Sequence, residues 1–416
     1  VEAWFTAKPE FLNPNGSVQG GIVSAFLDEA MSLSVFVSTH LKAAVPTLEM
    51  KTTFLRPLMT GRARCVGETV RLGRTVGFTE GRLFNEDGVL CAGGQPLTRL
   101  AEVAGQTPLF VYDRAVMSHK VAALRTSLPP GISLHYAIKA NPMPAVVAHM
   151  RGLVEGFDVA SGREMHVALN AGMPAREISF AGPAKREPEL RTAVAAGITL
   201  NVESFTELER IAAAARALNT KAHVALRVNP GFELKGAGMK MGGSPRQFGV
   251  DEAEAGAWFA RARTLGLNVR GLHIFGGSQN LDPDAIAECQ QATLALAADL
   301  IAGNDLAPDF VNFGGGLGVP YFPGEKPLDL TLVGERLDAP VAAFRARCPA
   351  VELVMELGRY LVAESGLYVT RVVDIKDSQG LRFAMTDGGL HHHLANSGNF
   401  GQVIRKDFPV CVANKA

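Results

Sequence analysis

Lys139 closes an apolar run in His135-Tyr-Ala-Ile-Lys-Ala-Asn-Pro142. A lysine at a strand end facing a barrel mouth is expected to be desolvated, which favours the neutral amine and therefore carbonyl or Schiff-base chemistry. The position equally suits a lysine that only reaches water past a strand end. Gly314-Gly315-Gly316-Leu317-Gly318 follows a later apolar run. Glycines there let backbone N–H groups close on a phosphate, although such a run is also the mark of a tight βα turn. Gly276-Gly277-Ser278-Gln279 adds a hydroxyl and more backbone donors. Glu356 ends another run, with Arg359 three residues on. They are either a local ion pair, or a carboxylate for a ring nitrogen beside a guanidinium for phosphate or carboxylate.

These residues need elements to hold them. Apolar strands are expected near 133–138, 155–160, 177–181, 198–203, 222–228, 269–275, 309–313 and 351–356, with helical stretches such as 204–217, 251–265 and 284–302 between them. Eight strand–helix units fit an α/β (β/α)8 barrel better than an open sheet, and functional residues then belong at strand C-terminal ends. From Tyr360 the pattern returns to strands (360–375, 381–386). Residues 1–98 read differently. A helix over 18–39, with Ile22, Phe26, Ala30 and Leu33 on its apolar face, precedes extended runs at 47–56, 62–72, 76–85 and 89–97. Asn85-Glu86-Asp87-Gly88 is a hairpin signal, and no crossover helix divides these runs, so an antiparallel α+β module is expected. The domains are thus 1–98, 106–357 with a strand at 108–113 before the barrel, and a partial C-terminal β domain at 358–416.

Composition narrows the class. Lys plus Arg (41) equals Asp plus Glu (41), so nothing marks a nucleic-acid surface. The five cysteines are scattered and unpaired in sequence, as expected of a reducing, cytoplasmic setting. The most membrane-like stretch, 18–39, carries Asp28 and Glu29 in its middle, and no membrane association is expected. His391 and His393 alternate as a ligand pair would, but without Cys or Asp partners nearby, and no metal is expected. Val1 in place of Met, and an end at Ala416 just after the apolar Phe408–Ala413, read as cut ends.

An amine, a phosphate cradle and a carboxylate on one rim match pyridoxal 5'-phosphate, whose aldehyde, phosphate and ring nitrogen each find a partner. Residues 106–413 resemble the fold-type III pyridoxal-phosphate decarboxylases, the ornithine and diaminopimelate decarboxylase family. The resemblance is carried by YAIKANP (136–142), FDVAS–E (157–164), RVNP (227–230), GLHIFGGSQ (271–279), GGGLG (314–318), ELGR (356–359) and TDGG (386–389). It implies Lys139 as the Schiff-base lysine and Glu356 as the ring-nitrogen partner. Ser278, Gly314, Gly315, Gly316 and Arg359 fall to the phosphate, Asp387 to the substrate, and Asp158 and Glu164 to a second layer of carboxylates. Phe275 stands where the family has a ring-stacking histidine, Leu357 where a proline is usual, and His391-His392-His393 where diaminopimelate decarboxylases carry Arg-Pro. The wording around HIFGGSQN and TDGGLHHHLANSGNFGQVIR resembles exosortase-associated decarboxylases and, more distantly, carrier-linked ones. The family also implies a homodimer whose sites are completed by a Cys-Asp pair and a late Tyr in segments beyond Ala416.

The first domain carries a second resemblance. Asn13-Pro-Asn-Gly-Ser-Val-Gln-Gly-Gly21, followed by Asp28, resembles hotdog acyl-CoA thioesterases of the phenylacetyl-CoA type. That implies a Gly20 N–H polarising a thioester carbonyl at a helix start, Asp28 as base or nucleophile, and Asn13 holding a water. Gln19 replaces the family's histidine. The expected function is decarboxylation of an amino acid, free or carrier-linked, fused to a domain for acyl-CoA or acyl-carrier thioesters or for dimerisation. The alternatives are a racemase, and a thioesterase with the barrel as scaffold.

Overall fold

The computed structural model describes residues 1–13, 16–42, 47, 50, 52–54, 56–72, 77–93, 97–236, 238–240, 242–243, 245–322, 324–389, 391–392 and 410. Val1–Val111 with the described residues from Leu367 on form one compact unit, and Tyr112–Gly366 forms the other.

In the first unit, β1 (Glu2–Ala7), β2 (Thr53–Phe54), β3 (Gly61–Leu72), β4 (Gly77–Phe84) and β5 (Leu90–Gly93) make an antiparallel sheet in the order β1-β3-β4-β5-β2. Helix α1 (Gly20–Ser38) lies across β3 and β4. Contact is closest at Gly67, where a Cβ would come 2.0 Å from the Ala30 carbonyl oxygen, so only glycine admits the helix there. The buried face of α1 is Val23, Leu27, Ala30, Met31, Ser34 and Val35. Ile22, Phe26 and Leu33, expected to face the core with Ala30, are only half-buried because the stripe is displaced by one residue. Length and apolarity alone would let α1 cross a membrane. Its seat on Gly67 is that of a core helix. The expected hairpin is present, with Asn85 N–H donating to the Val89 carbonyl at 2.9 Å and Gly88 at φ +76°. Strand β1 has no counterpart in the expected runs, and of the run expected over 89–97 the described strand is Leu90–Gly93, while Leu97 belongs to helix α2 (Leu97–Ala104).

Strand β6 (Leu109–Tyr112) leads to the second unit. There β7 (Ile132–Ala137), β8 (Gly156–Val159), β9 (Ile178–Phe180), β10 (Thr199–Val202), β11 (His223–Asn229), β14 (Asn268–Ile274), β16 (Phe310–Asn312) and β17 (Glu352–Leu357) pair in parallel. Pairing of β17 with β7 and of β10 with β11 closes the ring. Short strands β12 (Met239–Lys240), β13 (Val250–Asp251) and β15 (Gly277–Ser278) decorate it, β13 on β11 and β12 against β15. The helices are α3 (Arg114–Ser127), α4 (Pro144–Met150), α5 (Gly162–Asn170), α6 (Glu187–Ala196), α7 (Phe205–Ala217), α8 (Ala255–Thr264), α9 (Pro283–Gly303) and α10 (Leu330–Arg347). All eight expected strands are present within a residue or two. Each barrel strand is covered on both faces, so it reads as a continuous apolar run. Asp113, Ser161, Ser204, Asp282 and Asp329 start five of the helices by accepting backbone N–H bonds.

The strand expected from Tyr360 is a short helix instead, α11 (Arg359–Val362). Tyr360, Leu361 and Val362 are all buried, and a short apolar run does not distinguish helix from strand by period. The strands resume with β18 (Gly366–Val369), paired with β6, and the hairpin β19 (Val372–Ser378) and β20 (Leu381–Thr386).

Candidate active site

The C-terminal ends of the barrel strands carry a buried polar layer. Glu356, near the end of β17, points inward with its side chain 4% exposed. One of its oxygens is 3.5 Å from Lys139 Nζ, and the other is 3.1 Å from His273 Nε2 on β14. Burial pushes the Glu356 carboxyl upward, but the charges of Lys139, His273 and Arg227 outweigh it and hold the group well below the usual carboxylate range. Lys139 sits in a single helical turn after β7. The expectation that it would be desolvated is corrected: its side chain is 53% exposed, because the turn lifts it out of the strand onto the rim.

Behind this pair lies a chain of buried groups. His135 Nδ1 is 3.5 Å from Asp158, Asp158 accepts a hydrogen bond from Ser179 Oγ, and Asn201 Nδ2 donates to the same hydroxyl at 3.0 Å. Burial favours a neutral His135, yet Asp158, with Glu352 and Glu356, raises the imidazole above its ordinary value. Arg227 Nη1 donates to Glu203 at 3.0 Å. Of the two carboxylates expected in a second layer, Asp158 is buried, and Glu164 accepts from the Ala160 N–H at 2.8 Å and from Ser161 Oγ at 3.1 Å in the first turn of α5.

The glycine run lies directly on β17. Gly314 and Gly316 adopt φ +72° and +85°, and a Cβ on Gly315 would come 2.4 Å from the Glu356 carbonyl oxygen. Phe275 packs beside Gly314, where an added Cβ would sit 3.0 Å from its ring, and its ring centroid is 6.3 Å from that of His273. Ser278 belongs to β15, and Gly277 next to it lies by Gly316. Arg359 begins α11 with its guanidinium 5.6 Å from the centre of the Tyr321 ring. An amine, a buried carboxylate with an oxygen turned inward, and a glycine run whose close neighbours leave no room for side chains over its backbone N–H groups are the groups that pyridoxal 5'-phosphate requires. The donor set fits that cofactor.

Asp387 belongs to the other unit, where Thr107, Thr370 Oγ1 (2.7 Å) and the Arg371 N–H (2.9 Å) donate to it. Those hydrogen bonds, Thr107 first, lower it to about 2. His391 and His392 have rings 4.0 Å apart, and the Gly389 N–H donates to His392 Nδ1. His393 lies outside the described residues, as does most of Phe408–Ala413.

In the first unit α1 begins at Gly20, with Gln19 preceding it and making no side-chain cap. Asp28, two turns on, accepts from Thr47 Oγ1 at 2.5 Å. Asn13 Nδ2 donates to Ser17 Oγ at 3.0 Å, which ties that side chain into its own turn.

Residues that sequence reasoning did not assign include His273, Arg227, His135, Ser179, Asn201 and Glu203. A period-two count back from the strand ends would have placed most of them inside, but nothing in the linear pattern pairs them.

The fold and the rim define a barrel enzyme built around pyridoxal 5'-phosphate. Residues 114–363 match the pyridoxal-binding domain of the pyridoxal-dependent decarboxylases, and the chain belongs to that family. Residues 15–92 match the thioesterase superfamily, in agreement with a hotdog fold for the N-terminal sheet and α1. Among curated relatives, the chain is 36% identical to L-glutamyl-[BtrI acyl-carrier protein] decarboxylase of Niallia circulans, over 73% of this chain and 72% of the relative. It is 32% identical to the 2-[(L-alanin-3-ylcarbamoyl)methyl]-2-hydroxybutanedioate decarboxylase of Staphylococcus aureus, over 67% and 70%. A solved diaminopimelate decarboxylase from Helicobacter pylori, complexed with L-lysine, superposes with a TM-score of 0.64 at 30% identity, covering 72% of this chain and 75% of that one. The protein is a pyridoxal-phosphate-dependent amino-acid decarboxylase fused to a thioesterase-like domain. Neither the racemase nor the scaffold alternative is favoured.

Proposed function

We propose that Lys139 is the covalent attachment point of the cofactor, and that Glu356 holds a proton on its ring nitrogen. The single observation that carries this is the line Lys139–Glu356–His273, in which an accessible amine and a buried, strongly ionised carboxylate share one end of the barrel. Bound there, the cofactor supplies an electron sink for the charge left when carbon dioxide departs. Gly314, Gly315 and Gly316, with Ser278 and Arg359, hold its phosphate through backbone N–H groups, a hydroxyl and a fixed positive charge. Phe275, packed beside Gly314, would cover one face of the ring and keep water from it.

The substrate in this reading is an amino acid whose far end is attached to a carrier. The name of the Niallia circulans relative describes a glutamyl group on an acyl-carrier protein, and the match of residues 15–92 to the thioesterase superfamily supports the same reading. In that domain Asp28 would act on a thioester whose carbonyl meets the Gly20 N–H, with Asn13, which also donates to Ser17 Oγ, helping to hold a water. The protein would work in the cytoplasm as a homodimer, as its family implies. The test is carbon dioxide release from free amino acids against the same amino acids as pantetheine thioesters. Faster release from the thioesters supports the carrier-linked reading, equal rates for both reject it, and release from neither rejects the barrel assignment.

A further inference from the structure

We infer that Gln290, on α9, sets the phosphate cradle by turning one peptide of the glycine run, and so decides how strongly the site discriminates phosphorylated from unphosphorylated cofactor. The inference rests on the reading that Gly314–Gly316 hold the phosphate. Each carbonyl in that run is anchored. Gly314 O accepts from the Glu356 N–H at 3.1 Å, Gly316 O accepts from the Asn280 N–H at 3.0 Å, and Gly315 O accepts from Gln290 Nε2 at 2.7 Å.

A peptide is planar and trans, so fixing a carbonyl in one direction sends the next residue's N–H the opposite way. Glu356 thereby aims the N–H of Gly315, and Gln290 aims that of Gly316. Among the described residues, neither of these two N–H groups donates to a protein acceptor. Glycine at φ +72° and +85° on either side gives the middle peptide little intrinsic preference, so its orientation depends on the group that anchors it.

Two of the three anchors are backbone amides that any side chain would supply. Gln290 is the side-chain anchor. It is 3% exposed, and its Oε1 has no partner among the described residues. A buried amide with one end unsatisfied carries a desolvation cost, which points to its donor end as the useful one. It is a positioning residue that meets the cofactor only through the Gly315–Gly316 peptide.

The experiment titrates full-length apoprotein, wild type and Gln290→Met, with pyridoxal 5'-phosphate and separately with pyridoxal, followed by absorbance and near-ultraviolet circular dichroism. The loss of one hydrogen bond that orients a phosphate ligand should raise the Kd for pyridoxal 5'-phosphate about tenfold. The Kd for pyridoxal should stay unchanged. Equal weakening toward both aldehydes would mean that Gln290 only packs the core, and an unchanged preference would mean that the peptide keeps its direction without it; either overturns the inference. Wild-type protein that binds both aldehydes equally would overturn the cradle reading itself. If Gln290→Met does not fold, Gln290→Leu, which also fills the site without a donor, must show the same selective loss, and retention of the wild-type preference there overturns the inference.

Discussion

Lys139 Nζ stands 3.5 Å from Glu356 Oε1 although 217 residues separate them in the chain. The contact exists because β7 and β17 are neighbours across the seam of the closed barrel. The first and last strands of the ring thus bring an amine and a carboxylate to one rim, and His273 braces the carboxylate from β14.

Glu356→Gln keeps the shape of this side chain and removes its charge. Turnover should fall on the order of 10²–10³-fold, the usual cost of losing a well-placed charge partner. Cofactor affinity should change little, since the phosphate contacts remain. Steady-state kinetics alongside a cofactor titration separates the two, and an affinity loss as large as the rate loss would contradict the assignment.

His273→Phe takes away the group that fixes the second oxygen of Glu356. The expected signature is a cofactor absorbance spectrum whose pH dependence moves, with Glu356 protonating more readily because one of the influences that lower its carboxyl is gone. His273→Gln, which can still donate a hydrogen bond, should restore most of the wild-type profile.

His135 titrates above its ordinary value in the folded protein. A group with a raised folded pKa lends stability that is fully present below its unfolded value, about 6.5, and is lost as pH rises through the folded value. His135→Gln should therefore cost more stability at pH 6 than at pH 9. Denaturant unfolding at the two values measures the difference, and an equal cost at both would show that Asp158 does not hold the imidazole charged.

Gly67→Ala would drive a methyl group into the Ala30 carbonyl. Overpacking against backbone should destabilise the first unit by about 3 kcal/mol or more while the cofactor spectrum stays intact. In the same unit Asp28→Asn should abolish hydrolysis of acyl-CoA or acyl-carrier thioesters, and Gln19→His should increase it. If full-length protein hydrolyses no thioester with or without Gln19→His, dimerisation is left as the domain's role.

The barrel was legible because strands covered on both faces read as apolar runs, and their C-terminal ends marked the rim in advance. Glu356, Lys139 and the glycine run stand where that logic put them. What the pattern could not supply were relationships across strands. Nothing local joins His273 to Glu356, Gln290 to Gly315, or Asp158 to Ser179, because barrel closure alone sets those pairs. The exposure of Lys139 was misjudged for a similar reason, since a single helical turn after β7 has no signature distinct from the strand's end. The run after Tyr360 failed differently: a buried four-residue helix and a buried strand look alike in sequence.

Lys139 has a rival inside the barrel unit. Lys185 is buried, and its ammonium donates to the carbonyls of Gly182 and Asn201 at 2.8 Å and to Glu207 at 2.7 Å, so its amine is fully engaged. The most direct measurement is therefore borohydride reduction of the full-length holoprotein followed by peptide mass spectrometry, on wild type and on Lys139→Ala. One pyridoxyl label is expected, on Lys139, and none in the variant. A label on Lys185 or any other lysine in the wild type, or undiminished labelling of Lys139→Ala, would contradict it.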